Sequence, residues 1–113
     1  YVALDVKNSP LEYGKTVGIA NFDLTRVKET IAFLLSDRVT YEFRTTVVRE
    51  LHTRRSLLDL AAWIKGAKQY YLQSFEASDE VLQPGLTSYT KEEMIKFKEL
   101  VKTIIPAVQL RGI

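Results

Sequence analysis

The stretch Val39-Thr-Tyr-Glu-Phe-Arg-Thr-Thr-Val-Val48 alternates along its whole length. Successive side chains of a strand leave opposite faces, so Val39, Tyr41, Phe43, Thr45 and Val47 point one way and Thr40, Glu42, Arg44 and Thr46 the other. One face is apolar and the other carries a carboxylate and a guanidinium. A central strand of an open doubly wound sheet is apolar on both faces. This one predicts a sheet covered by helices on one side and polar on the other.

Working outward, three more short segments are β-branched and aromatic: Tyr1–Lys7, Gln69–Phe75 and Val108–Ile113. The segments between them carry a helical apolar period. After a Gly- and Pro-containing loop, Asn8–Asp23, Leu24, Val27, Ile31, Leu34 and Leu35 form one stripe, with Thr25 as the expected cap. That loop is long for a strand-to-helix connection and is therefore a candidate binding loop. Thr53 is placed to cap a helix with Leu57, Leu60, Ala61 and Ile64 inward, ended by Gly66. A loop with Pro84-Gly85 leads to Thr90-Lys-Glu-Glu93, a capping box, and then to Met94, Phe97, Leu100, Val101 and Ile104, with Pro106 beyond the helix end.

Strand, helix, strand, helix, strand, helix, strand is the order of consecutive βαβ crossovers, so the four strands are expected to be parallel. With one charged face, they predict an α/β unit that is part of a TIM-like barrel, helices outside and a polar lumen inside. Four strands do not close such a barrel. The expectation is that the chain is a piece of something longer and that the missing N-terminal half precedes Tyr1, since Arg111-Gly112-Ile113 reads as a finished last strand.

Composition narrows the functions open to the chain. Its 113 residues are 46% hydrophobic and 27% charged, which suits one globular domain. The net charge of +2 comes with basic residues scattered along the chain, which gives little reason to expect nucleic acid. There is no cysteine, so disulfides, thiolate metal sites and cysteine nucleophiles are excluded from these residues. No apolar run reaches the roughly 18 residues of a membrane span, and the expected location is the cytosol.

In barrels of this kind the site lies at the carboxyl ends of the strands. Asp5, Lys7, Glu42, Arg44, Gln73 and Arg111 fall on one face near those ends, where ammonium and guanidinium groups suit a carboxylate and a carboxylate suits an amine, hydroxyl or cation. An equally weighted reading pairs them with one another, Asp5 with Lys7 or Arg44 and Glu42 with Arg111, as stabilising contacts. His52, alone, reads as a loop or capping residue more readily than a metal ligand. Tyr70, Tyr71 and Phe75 could stack on an adenine but more often such residues pack. The alternative functions are another barrel enzyme acting on small anionic metabolites, or a binding or assembly module that dimerises through its open sheet edge.

Four strings, Tyr1-Val-Ala-Leu-Asp-Val-Lys7, Tyr41-Glu-Phe-Arg-Thr-Thr-Val-Val48 with Leu51-His-Thr53, Tyr70-Tyr-Leu-Gln-Ser-Phe75 and Val108-Gln-Leu-Arg-Gly112, together resemble the C-terminal half of radical S-adenosylmethionine activating enzymes. The likeness runs over essentially all of residues 1–113. It is nearest to activating proteins of the anaerobic ribonucleoside-triphosphate reductase, with those of pyruvate formate-lyase as near relatives. The resemblance implies a partial (β/α)6 barrel that binds S-adenosylmethionine on a 4Fe–4S cluster. Electron transfer cleaves the sulfonium to a 5′-deoxyadenosyl radical, which takes a hydrogen from a glycine of the partner, a glycyl-radical enzyme.

On that resemblance Asp5 and Lys7 match an Asp-x-Lys at a strand end, with Lys7 reaching the cofactor's carboxylate and Asp5 helping to hold the cofactor region, in some members through a bound monovalent cation. Arg44 matches a strand arginine near the same ligand, and Gln73 falls on the adenosine side. No role transfers to His52. The family's cysteine motif and its glycine-rich segment are absent, so these residues are expected to serve an oxidoreductase only as part of a longer protein and to be inactive alone.

Overall fold

The computed structural model describes residues 1–76 and 85–112. The chain runs β1 (Val2–Asp5), α1 (Tyr13–Val17), α2 (Thr25–Leu35), β2 (Tyr41–Val47), α3 (Arg54–Trp63), β3 (Tyr70–Ser74), α4 (Lys91–Lys102) and β4 (Val108–Arg111). The four strands form one sheet in the order β1-β2-β3-β4, each pair parallel. This is the α/β arrangement of a partial TIM-like barrel, as the alternating strand predicted.

The register sorts the two faces. Leu4, Phe43, Tyr70 and Val108 stand side by side, as do Thr45, Leu72 and Leu110. This face joins Ile31 and Leu34 of α2, Leu57, Leu60 and Ala61 of α3, and Met94 and Val101 of α4 in a single core. Leu57, Leu60, Leu72 and Met94 are almost completely buried, each contributing about 1.5–3 kcal/mol by leaving water. Hydroxyls within this core are satisfied in a chain: Tyr70 donates to Thr45 Oγ1 at 2.7 Å, and Thr45 donates to the Val6 carbonyl at 2.8 Å. The chain ties β3 and β2 to the residue that follows β1, and burial raises the Tyr70 phenol's pKa.

Local capping explains where the helices start. Thr53 and Ser56 exchange side-chain and backbone hydrogen bonds at the start of α3, and Thr90 and Glu93 do the same for α4. Thr25 is not a cap. It is the first residue of α2, and Asp23 Oδ1 accepts from its amide at 2.9 Å and its hydroxyl at 2.6 Å. The aspartate, two residues earlier, satisfies the amide and hydroxyl of Thr25 itself, while the Lys28 amide that a Thr25 cap would take bonds the Leu24 carbonyl. The long connection Asn8–Asp23 holds a short helix, α1, ended by Gly18 in the left-handed conformation. Its Gly14 lies so close to the chain that a Cβ there would come 3.0 Å from the Ile19 carbonyl oxygen. β1 stops at Asp5, two residues earlier than the sequence pattern suggested. Pro84 and Ile113, expected in a loop and in the last strand, lie outside the described residues, in which no helix is long and apolar enough to cross a membrane.

Candidate functional site

The polar face gathers all six residues singled out from the sequence. In register, Ala3 stands beside Glu42, Asp5 beside Arg44 and Tyr71, and Thr46 beside Gln73 and Arg111. Arg44 Nε donates to Asp5 Oδ1 at 3.0 Å. Lys7 Nζ lies 3.8 Å from the other oxygen of Asp5. The two strand ends thus present a carboxylate held between an ammonium and a guanidinium. With Asp5 47% and Lys7 52% exposed, this group keeps the solvent access a ligand needs.

Glu42 differs. Its side chain is only 7% exposed, and it is fully committed. Arg111 Nη1 reaches back from β4 to donate to Glu42 Oε2 at 2.7 Å, crossing the Tyr71 ring with its guanidinium carbon 3.7 Å from the ring centroid. The Tyr1 hydroxyl donates to Oε1, and Arg44 Nε stands 4.0 Å away. The Tyr1 hydroxyl above all, then the two guanidiniums, hold this carboxyl below the usual carboxylate range against the opposing effect of burial. Glu42, Arg111 and Tyr71 therefore form the floor of the polar face.

Above that floor, at the carboxyl ends of β1, β2 and β3, is a cleft of about 320 Å³ lined by Asp5, Val6, Lys7, Thr16, Thr46, Val48, Leu51, His52 and Phe75. Of the predicted ligand contacts, Asp5 and Lys7 line it, and Arg44 reaches it through its bond to Asp5. Gln73 shares the face, beside Thr46, without a hydrogen bond to this group among the described residues. Thr16 and Thr46 are cleft residues the sequence reading did not single out as ligand contacts. For Thr46 the alternation of the second strand carried the signal, while Thr16 arrives from α1, which had been read as loop.

His52 is neither a cap nor exposed. It is 1% exposed at the cleft wall, with Nε2 2.8 Å from the Lys7 carbonyl oxygen and Nδ1 accepting from the Val48 amide at 3.0 Å. A carbonyl can only accept, which puts the proton on Nε2. Burial lowers the imidazole's pKa, more strongly than its backbone partners raise it. Tyr70 belongs to the core, Tyr71 supports Arg111, and Phe75 lines the cleft.

No protein-family model and no curated protein matches the chain. Among solved structures it superposes on the crystal structure of a domain of pyruvate-formate lyase-activating enzyme from Bacteroides vulgatus ATCC 8482 with a TM-score of 0.73. The match covers 98% of this chain and 67% of that one, at 9% sequence identity. At that identity the likeness shows a shared fold, the parallel α/β unit described above.

Proposed function

We propose that residues 1–113 are the C-terminal, cofactor-positioning half of a radical S-adenosylmethionine activating enzyme whose partner is a glycyl-radical enzyme. The single observation that carries the reading is the placement of Asp5 and Lys7 together at the open end of β1, facing a cleft on a fold shared with an activating-enzyme domain. The ribonucleoside-triphosphate reductase partner rests on sequence strings, while the fold likeness is to a protein named for pyruvate formate-lyase; both types of partner belong to the proposal.

S-adenosylmethionine carries a carboxylate, an amine, a sulfonium and an adenosine, and supplies radical chemistry when it is reductively cleaved. Lys7 offers the ammonium for the carboxylate, and Arg44 adds a second positive charge next to it. Asp5 offers an acceptor for the amine or a hydroxyl, oriented by Arg44. Three cations to two carboxylates on this face leave it net positive, which favours an anionic group. The fit to the cluster is different. The chain has no cysteine, and the described residues contain no group of three His, Asp or Glu able to hold a metal. In this reading the cluster ligands lie outside these residues.

Calorimetry of S-adenosylmethionine binding to the longer protein, wild type against Lys7→Ala, tests the proposal. Loss of the charged contact should weaken binding about tenfold or more. Unchanged affinity removes Lys7 from the site and the reading with it. A second reading is favoured by the ion pairs themselves, Asp5 with Arg44 and Glu42 with Arg111, which can hold strands together with no ligand. It expects Lys7→Ala to change neither binding nor stability.

A further inference from the structure

We infer that His52 is the positioning residue of the cleft: its neutral ring spans from the end of β2 to the Lys7 carbonyl and fixes the segment that carries the Lys7 ammonium. The inference deepens the proposed function, since it rests on Lys7 being the ligand contact, but its structural part stands without any ligand.

The backbone explains why such a brace is needed. β1 lies at one edge of the sheet, and the ladder ends where the Val6 amide donates to the Arg44 carbonyl at 2.8 Å. Beyond that bond the chain leaves the ladder, and Lys7 sits on backbone that β2 no longer holds. Side chains replace the ladder, three of them at carbonyls. Thr45 donates to the Val6 carbonyl at 2.8 Å, His52 Nε2 donates to the Lys7 carbonyl at 2.8 Å, and Asn8 Nδ2 donates to the Leu51 carbonyl at 2.8 Å and to Thr16 Oγ1 at 2.9 Å. Of the three, His52 alone bonds the Lys7 carbonyl, and on the other side of the residue the Tyr13 phenol of α1 meets the Lys7 backbone amide. It is in turn fixed at both ends: the Val48 amide donates to its ring at 3.0 Å, and the Tyr89 hydroxyl donates to its carbonyl at 2.6 Å. The ring is almost completely buried, so the Lys7 carbonyl is held by a partner that cannot swing into solvent.

The two ring nitrogens can be imitated separately. An asparagine amide oxygen falls near Nδ1 and can accept from Val48, but it does not reach Lys7. A glutamine amide nitrogen falls near Nε2 and can donate to the Lys7 carbonyl. A residue that merely fills the core would tolerate both amides equally, so the comparison isolates the bond to Lys7.

The first measurement needs no variant and no ligand: ring ¹⁵N shifts of His52 in the full chain should put the proton on Nε2, with a scalar coupling across the bond to the Lys7 carbonyl. A proton on Nδ1 overturns the inference. Backbone ¹⁵N relaxation should then show Lys7 and Asn8 as ordered in His52→Gln as in the wild type, and more mobile in His52→Asn. Equal order in His52→Asn and the wild type also overturns it. Calorimetry with S-adenosylmethionine on the longer protein adds the functional arm: affinity within about twofold of wild type for His52→Gln and about tenfold weaker for His52→Asn. Equal weakening in two folded variants overturns the role of the Lys7 bond. A wild type that binds no S-adenosylmethionine defeats the proposed function, while the two spectroscopic readouts still decide the brace.

Discussion

Asp5 and Arg44 stand opposite each other in the β1–β2 register, and Arg44 Nε donates to Asp5 Oδ1 at 3.0 Å on the open side of the sheet. Both are substantially exposed, Asp5 at 47% and Arg44 at 32%. An ion pair in that setting contributes about 0.2–1 kcal/mol to stability. The pair is therefore poorly explained as a strand fastener and better explained as a poised acceptor and donor. Asp5→Asn should change the free energy of urea unfolding by less than about 1 kcal/mol. In the longer protein the same change should weaken S-adenosylmethionine binding severalfold in calorimetry. A large stability loss with unaltered binding would show the pair to be structural.

The alternation of residues 39–48 carried most of the fold, because a period of two with one charged face leaves few parallel arrangements open. The capping boxes at Thr53 and Thr90 were legible for a similar reason: their chemistry is local. What escaped was the product of approach between distant segments. Nothing in Leu51-His-Thr53 announces that the imidazole will meet the Lys7 carbonyl, 45 residues earlier in the chain. Nor does spacing show that Arg111 passes over Tyr71 to reach Glu42, leaving Glu42 structural while Asp5, on the same face, stays open. The assignment of Thr25 as cap failed because Thr25 is already helical: its hydroxyl donates to Asp23 Oδ1, and the Lys28 amide goes to the Leu24 carbonyl instead.

Glu42 and Arg111 should respond unequally to mutation. Removing Arg111 leaves a carboxylate only 7% exposed with the Tyr1 hydroxyl and a guanidinium at 4.0 Å, while removing Glu42 leaves a guanidinium that can turn to water. Arg111→Met is expected to cost on the order of 2 kcal/mol at pH 7, and Glu42→Gln less. The pH dependence identifies the cause. With Arg111 gone Glu42 can escape the penalty by taking a proton, so the deficit relative to wild type should shrink between pH 7 and pH 4. Urea unfolding at the two pH values measures it, and a deficit independent of pH would assign the loss to packing on Tyr71.

The start of α4 is fastened to the loop after β2. Glu93 exchanges capping bonds with Thr90 and accepts from Arg49 Nη2 at 2.7 Å, and the Arg49 hydrogen bond above all lowers its pKa to about 2. The unfolded glutamate titrates near its ordinary 4.5, so the folded state binds its proton less readily. The contribution is complete above about pH 4.5 and disappears as pH falls toward 2, because the unfolded chain then holds more protons. Thr90→Ala should cost about 1 kcal/mol at pH 7. Glu93→Gln should flatten the acid limb of the stability curve, measured by urea midpoints between pH 2 and pH 5.

His52 gives a second and separate pH limb nearer neutrality. Its ring accepts from the Val48 amide on one side and donates to the Lys7 carbonyl on the other, so only the neutral form fits. A proton on Nδ1 would face the Val48 N–H, and the neighbouring Val48 carbonyl, 3.3 Å away, already accepts the amide of His52 at 2.9 Å. The charged and titratable groups on the segments around it are Asp5 on β1 and Lys7 just beyond it, Tyr13 on α1, Arg49 and Glu50 from its own loop, Tyr89 before α4, and Glu93 on α4; among the described residues none of their side chains bonds to the ring. Burial lowers the pKa of the folded imidazole below its usual 6.5. Below 6.5 the unfolded chain therefore takes up a proton that the folded one resists, and stability falls as pH is lowered through that value toward the folded pKa. Above it the stability is constant as far as His52 is concerned. His52→Gln removes the titration, so its unfolding free energy should lack this slope between pH 5 and 7.5 while that of the wild type declines toward the acid end. Parallel curves for the two proteins would mean that the folded ring accepts a proton freely, and that the brace holds Lys7 equally well when charged.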